Sequence, residues 1–393
     1  MTSPNSALTA YAGAEIFDGH AFRETGALLV EDGRIRDIVP EDGIPAGSRV
    51  VTLPGGVIAP GFVDLQVNGG GGVMLNDDQS VDTLCRIARA HAKMGTTALL
   101  PTLITDTRER TEAAIAAVLT AIEERVPGIV GLHLEGPHLS LARKGAHDPS
   151  LIRPMEAEDL ELLMKAAAAL PCLMVTVAPE SVSPGQIAEL AAAGALVSLG
   201  HTDAEYDQCR EAVASGASCV THLFNAMSQL SSRAPGLVGA ALDLGAVHAG
   251  LIADGIHVHP AAIRAALRAK TGPGALFLVT DAMAVAGTDL KQFVLNGRTI
   301  HRREGRLTLA DGTLAGADLN MPQAIAVIDR QVGAPREQAL AMATAIPASF
   351  IGAAPEHGTL QPGTRADFVH LGPHMNLLAV WAEGRRIEGE AGD

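Results

Sequence analysis

Hydrophobic positions along the chain fall into two textures. Residues 8–58 carry short apolar alternations, which predict strands over Leu8–Ile16, Gly26–Glu31, Arg34–Val39 and Arg49–Leu53. Turn signals at Asp18-Gly19, Glu31-Asp32-Gly33 and Pro54-Gly55-Gly56 separate them. The same texture returns at Asp367–Leu371 and Leu378–Ile387. Neither end can bury much alone. The two are therefore expected to pair into one small β-sandwich, residues 1–58 with 360–393, around an inserted main domain, residues 59–359.

From Ala59 the pattern changes to short apolar runs alternating with helical segments. Eight strands are predicted: Phe62–Val67, Thr96–Leu103, Ile129–Leu134, Cys172–Val177, Ala195–Leu199, Cys219–Leu223, Val247–Ile252 and Ala275–Val279. Helices are predicted near Val81–Met94, Arg108–Arg125, Ala157–Ala169, Pro184–Ala193, Ala204–Ser215 and Pro260–Ala269, and the sixth strand is followed by a long polar loop. Beyond the eighth strand, Phe293–Leu309 reads as a hairpin pair with turns at Asn296-Gly297 and Glu304-Gly305. Helices near Met321–Gln331 and Arg336–Ala345 follow. Right-handed crossovers keep such strands parallel, so the α/β fold class expected is a closed (β/α)₈ TIM barrel. An open doubly wound sheet is the alternative, disfavoured because no GxGxxG follows the first strand.

Composition narrows the function. The 393 residues carry a formal charge of −15. That argues against nucleic acid, which needs clustered Lys and Arg, but not against a small phosphorylated substrate. Four cysteines (Cys85, Cys172, Cys209, Cys219) lack CxxC spacing, so reduced thiols are expected and not a zinc ribbon or disulfide scaffold. Met1–Ala14 has no basic region followed by an apolar run, and no apolar stretch has membrane-spanning length. The expectation is a cytoplasmic protein without membrane contact.

In a barrel, chemistry sits where strands end. The first strand ends in Gln66-Val67-Asn68, the third in Glu135 and the fifth in Gly200-His201-Thr202-Asp203. The sixth ends in Thr221-His222, the seventh in Asp254-Gly255-Ile256-His257 and the eighth in Thr280-Asp281-Ala282. Glu135, His201 and His222 match the catalytic zinc pattern of three protein ligands with a fourth position for water. Each alone reads as an ordinary barrel-mouth polar residue, but three arriving together at buried strand ends do not. Zn²⁺, Fe²⁺, Co²⁺ and Mn²⁺ all suit this donor set, zinc first. Asp281 would face the site as the acid/base that takes a proton from water and returns it to a leaving amine; the plainer reading is an N-cap or turn residue. His133 shares a face with Glu135 and is read as support for the ligands, outside the set itself.

Six segments carry a family resemblance: Pro60-Gly61-Phe62-Val63-Asp64, His133-Leu134-Glu135-Gly136-Pro137, Lys144-Gly145-Ala146-His147, Gly200-His201-Thr202-Asp203-Ala204, Thr221 to Met227 and Val279-Thr280-Asp281-Ala282. In this order they resemble the N-acetylglucosamine-6-phosphate deacetylases of the amidohydrolase superfamily, and the likeness runs from about residue 8 to 389. The resemblance implies metal ligands at Glu135, His201 and His222 and an acid/base at Asp281. It implies a substrate loop at Ala146 and His147, sugar contacts at Asn225 and Ala226, and phosphate contacts at Arg233 and His257. Leu314-Ala315-Gly316 resembles the substrate loop after the barrel. A homodimer is implied, with phosphate contacts that can come from the neighbouring subunit.

One departure matters. Many amidohydrolases carry His-x-His after the first strand and hold two metals, whereas this chain has Gln66-x-Asn68. Amides are poor transition-metal ligands beside imidazole, so one divalent ion per subunit is expected, with Gln66 at most a weak neighbour. The fourth strand ends in Val177-Ala178-Pro179-Glu180, without the lysine of a carbamylated dinuclear site. The function expected is hydrolysis of the acetamide of N-acetyl-D-glucosamine 6-phosphate to D-glucosamine 6-phosphate and acetate, in amino-sugar catabolism. The galacto epimer is the nearer alternative. A non-catalytic sugar-phosphate-binding barrel is the farther one; it predicts a damaged ligand or base position, and all four are chemically competent.

Overall fold

A computed structural model describes residues 8–23 and 26–388. The first seven and last five residues of the expected small domain, and with them half of the Met1–Ala14 segment, lie outside the described residues. Two compact units emerge by packing. One comprises the described residues of Met1–Val63, His91–Ala98 and Met321–Asp393, the other Asp64–Ala90 and Leu99–Asn320. This is a division by contact; the expected boundaries near 59 and 359 divide the chain by element type.

Eight parallel strands form the barrel sheet: β1 (Phe62–Val67), β2 (Thr96–Ile104), β3 (Leu132–Glu135), β4 (Leu173–Val177), β5 (Leu196–Leu199), β6 (Ala217–Val220), β7 (His248–Leu251) and β8 (Leu276–Leu278), each beside its sequence neighbour. Every residue of β1, β2, β3, β4 and β8 is buried, as expected for strands covered on both faces. A parallel bridge between Val67 and Ala282 closes the ring, and the Asn68 N–H donates to Ala282 O at 2.9 Å. Helices α1 (Val81–Lys93), α2 (Arg108–Glu123), α3 (Ala157–Ala169), α4 (Pro184–Ala192), α5 (Tyr206–Ala214), α6 (Gly236–Asp243) and α7 (Pro260–Ala269) follow β1 to β7 in turn. Local sequence sets where they start. Ser183 and Gln186 form a reciprocal capping box at α4, with Pro184 in its first turn.

Several elements differ from the sequence reading; the expected strand Leu8–Ile16, for one, is two strands, Thr9–Ala12 and Glu15–Phe17, in different sheets. The stretch after the sixth strand is not all loop, since α6 lies within it. From Gly236 to Leu242 its residues are all buried, so it lacks the polar face that marks a helix in sequence. Beyond β8, the expected hairpin pair (Gln292–Leu295, Arg298–Arg303, Arg306–Thr308) gains a fourth strand, Leu314–Ala317. Ala317 also bridges to Ala282 at the barrel mouth.

Strands from the ends of the chain build two further sheets. Thr9–Ala12, Gly26–Glu31, Arg34–Pro40 and Arg49–Thr52 form one sheet. In the second, Val57–Pro60 runs antiparallel to Phe368–Leu371 and so joins the two ends. Tyr11, Ile16, Leu28, Phe368 and Trp381 share the core of this sandwich. Phe368 stacks on Trp381 at 4.7 Å, and Tyr11 meets Phe368 edge-on at 4.9 Å. Among the described residues, no helix is long and apolar enough to cross a membrane.

Candidate active site

Strand ends deliver the side chains. Glu135 is the last residue of β3, and His201, His222 and Asp281 follow β5, β6 and β8 by two or three residues. All four are buried. Glu135 Oε1 lies 3.1 Å from His201 Nε2 and 3.0 Å from His222 Nε2, and the two imidazole nitrogens are 3.0 Å apart. His201 Nδ1 sits 2.8 Å from Arg143 O. A carbonyl can only accept, so Nδ1 carries the hydrogen and, in the neutral ring, Nε2 turns its lone pair inward. Three electron-rich atoms thus converge where each would repel the others unless a cation or shared protons intervene. Donors around a tetrahedral ion with bonds of about 2.05 Å stand about 3.3 Å apart, so this triangle fits one. A second grouping, Glu135, His147 and His201, also keeps its donor atoms within 4.8 Å of one another. The buried Glu/His/His set is suited to a divalent metal.

Gln66 and Asn68 do not act through their oxygens here. Gln66 Nε2 donates to Glu135 Oε2 at 3.1 Å and to Asp281 Oδ1 at 3.2 Å, and Asn68 Nδ2 donates to Asp281 Oδ1 at 2.6 Å. The two amides therefore hold the two carboxylates apart and oriented. Asn68 Oδ1 is buried without a partner in the protein and can accept a hydrogen from a bound molecule.

Electrostatics separates the two carboxylates. Burial opposes charge on Glu135, but hydrogen bonds and charge from His201 and His222 outweigh it and hold its pKa well below the usual value. Asp281 is pushed up to about 6, by burial first and then by the Glu135 charge, against the pull of His222, Asn68 and His257. Two acids whose environments drive them apart are the arrangement acid/base chemistry needs. His147 is kept well below its ordinary pKa by burial and by its histidine neighbours.

A cavity of about 370 Å³ opens on these groups, within the range of small-ligand sites. It is lined by Glu135, His201, His222 and Asp281, and also by Ala146, His147, Asn225, Ala226, His257, Leu314, Ala315 and Gly316. Arg233 is not among them; it is exposed on the loop before α6. Gly316 packs so close that a Cβ would lie 2.4 Å from Asp281 O. His133 sits below, with Nε2 2.7 Å from Thr176 Oγ1 and Nδ1 3.1 Å from Leu65 O. Three supports have no role in the sequence reading. Thr105 Oγ1 meets His147 Nδ1 at 2.7 Å, Arg298 Nη2 donates to Ala146 O, and Asp254 Oδ2 meets His257 Nδ1 at 2.6 Å.

The Amidohydrolase family profile matches residues 57–387. The chain belongs to the amidohydrolase family. It is 45% identical over 338 residues to an N-acetylgalactosamine-6-phosphate deacetylase of Shewanella sp. (strain ANA-3), covering 85% of this chain and 84% of that one. It is 34% identical over 362 residues to an N-acetylglucosamine-6-phosphate deacetylase of Haemophilus influenzae, covering 91% and 94%. The crystal structure of N-acetylglucosamine-6-phosphate deacetylase from Pasteurella multocida superposes with a TM-score of 0.92 at 35% identity, over 97% of this chain and 100% of that one. The fold of this amidohydrolase is thus shared along nearly its whole length, with relatives that divide over which epimer they are named for.

Proposed function

We propose that this amidohydrolase cleaves the acetamide of N-acetyl-D-glucosamine 6-phosphate, giving D-glucosamine 6-phosphate and acetate. The observation that carries the reading is the buried triangle of Glu135, His201 and His222 beside Asp281, in one cavity of a chain similar to amino-sugar phosphate deacetylases. Those three residues would hold one divalent ion, zinc first. Such an ion supplies Lewis acidity, polarising the amide carbonyl and acidifying water. Asp281, its pKa raised to about 6 and its carboxylate therefore ionised at neutral pH but more basic than usual, takes the proton of the attacking water and returns it to the departing amine. Gln66 and Asn68 hold its carboxylate in line. Thr105 Oγ1, 2.7 Å from His147 Nδ1, holds that ring at the cavity wall, where it would stabilise the developing charge on the carbonyl oxygen.

Ala146, Asn225, Ala226 and Leu314 to Gly316 would line the sugar, and His257 its phosphate. Arg233 lies outside the cavity, which supports a homodimer in which it reaches the neighbouring subunit's phosphate site. A second reading, the galacto epimer, is favoured by the 45% identity to a relative named for it. Acetate release from both epimeric phosphates, measured on the purified zinc-loaded protein, decides between them. Turnover of neither would refute both.

A further inference from the structure

The seventh strand end holds an ion pair whose acidic member, Asp254, has no task in the chemistry above. Asp254 Oδ1 accepts the backbone N–H groups of Ile256 at 2.8 Å and His257 at 2.7 Å. Its Oδ2 lies 2.6 Å from His257 Nδ1, and both side chains are buried. The other ring nitrogen, Nε2, lies 3.2 Å from Ala315 O on the strand Leu314–Ala317. Each ring nitrogen thus faces an acceptor. A carbonyl has no hydrogen to give, so Nε2 must carry one. The carboxylate already receives two N–H groups, which favours its ionised form, so Nδ1 must carry one as well. A ring with hydrogens on both nitrogens is an imidazolium.

We infer that Asp254 is a positioning residue that keeps His257 a fixed cation, docked on Ala315 O until an anionic ligand group takes over its Nε2–H. Ala315 and His257 both line the cavity, so a phosphate entering there meets a charge already in place. Asp281, at the end of β8, also acts on His257 by its charge, and Glu135, Arg143, His147, His201 and His222 line the same cavity. The Asp281 carboxylate adds to the same polarity. Burial opposes the charge on His257, and Asp254 outweighs it through its hydrogen bond and charge. In a chain of formal charge −15, with two carboxylates in the same cavity, a neutral imidazole would leave the ligand's anion without this attraction. The inference deepens the deacetylase reading and rests on it only for what the anion is.

The test uses ¹⁵N-histidine-labelled, zinc-loaded protein. The His257 ring signals are assigned by their loss in His257→Gln. Wild type is expected to keep both His257 nitrogens protonated to a higher pH than Asp254→Asn does, because the carboxylate that holds the second hydrogen is gone in the variant. A neutral His257 in wild type at pH 7.5, which needs no variant to fold, overturns the inference, as does an unchanged titration in Asp254→Asn. Calorimetry with inorganic phosphate at pH 8 is expected to show at least about tenfold weaker binding in Asp254→Asn, with Asp254→Glu partly restoring it. Equal phosphate affinity in wild type and Asp254→Asn overturns the anion-capturing role. Acetate release from the amino-sugar phosphates by the wild type tests the deacetylase reading separately.

Discussion

Replacing Asp281 with Asn isolates proton transfer from everything else this side chain does. Asp281 has φ 52°, in the left-handed region, where Asn is among the best-tolerated residues. The Asn oxygen can still accept from Asn68 Nδ2 (2.6 Å) and Gln66 Nε2 (3.2 Å), so the local bonds survive. The exchange also removes a buried negative charge that repels Glu135, so the Glu/His/His triangle has no reason to open. What is lost is the capacity to take and return a proton. General acid/base catalysis contributes about 100- to 10,000-fold, and at about 1.36 kcal/mol per decade the barrier should rise by about 2.7–5.4 kcal/mol. The assay is initial-rate acetate release from each epimeric N-acetylhexosamine 6-phosphate. Elemental analysis and a thermal melt on the same preparation accompany it. The expected result is a rate down at least about 100-fold with unchanged metal content and a Tm equal to or above wild type. A rate within tenfold of wild type would refute the acid/base role. Loss of metal together with rate would move Asp281 from proton carrier to metal holder.

Glu135→Ala leaves two imidazoles to bind an ion alone, so elemental analysis should fall from one divalent equivalent per chain towards none. Two tight equivalents in wild type would overturn the single-metal reading and make Gln66 and Asn68 ligands. Arg233→Ala should raise KM for phosphorylated substrate at least about tenfold, since a charge-assisted bond is worth about 1.5–3 kcal/mol. An equal loss on unphosphorylated N-acetylhexosamine would sink the phosphate assignment. In the small unit, burial works against the Asp367 carboxylate, but His357, Arg365 and the Glu383 N–H outweigh it and lower its pKa. A carboxylate depressed in the folded state stabilises fully above its unfolded value of about 3.9 and loses that contribution as pH falls through the folded value. The Tm gap between wild type and Asp367→Asn should therefore hold steady at neutral pH and begin to shrink below about pH 4; a gap that does not narrow as the pH falls further contradicts it.

Periodicity made the eight strands legible because short apolar runs, bounded by turn residues and alternating with helical segments, read as buried parallel strands, and the absence of GxGxxG after the first favoured a barrel over an open sheet. It failed at α6, where burial from Gly236 to Leu242 removes the polar half of the helical pattern. Ligand candidates were legible for a related reason: Glu135, His201 and His222 are polar residues where hydrophobic strands stop. Their supports were not. Gln66 and Asn68 were visible as poor ligands, but their role as donors to two carboxylates depends on which amide atom faces inward, and residue type does not encode that. Thr105 and Arg298 meet the Ala146–His147 loop from elsewhere in the chain, 42 and 152 residues away, through a hydroxyl and a guanidinium that are common on any surface. Asp254 lay in plain view three residues before His257, but its place in that motif does not say that the two side chains pair.

Backbone conformation explains why even the legible residues could not be aimed from sequence. His201, His222 and Asp281 have φ of 47°, 30° and 52°, each just past the end of a strand. A bulky residue in this region costs about 1–3 kcal/mol and persists only where neighbours enforce it. They do so here. The Ser140 N–H donates to His201 O, the Asn225 N–H to His222 O, and the Asp281 N–H to Gln66 O while its own carbonyl accepts from Ala317. The left-handed step breaks strand alternation, so a residue that an extended continuation would assign to one face is turned across the barrel mouth instead. Three such steps, on β5, β6 and β8, bring two imidazoles onto Glu135 and set a carboxylate beside them. Glycine would relax each step but would bring no donor, so these positions trade backbone stability for chemistry. Gly316 answers a different need, since the close approach of Asp281 O leaves no room for a Cβ there.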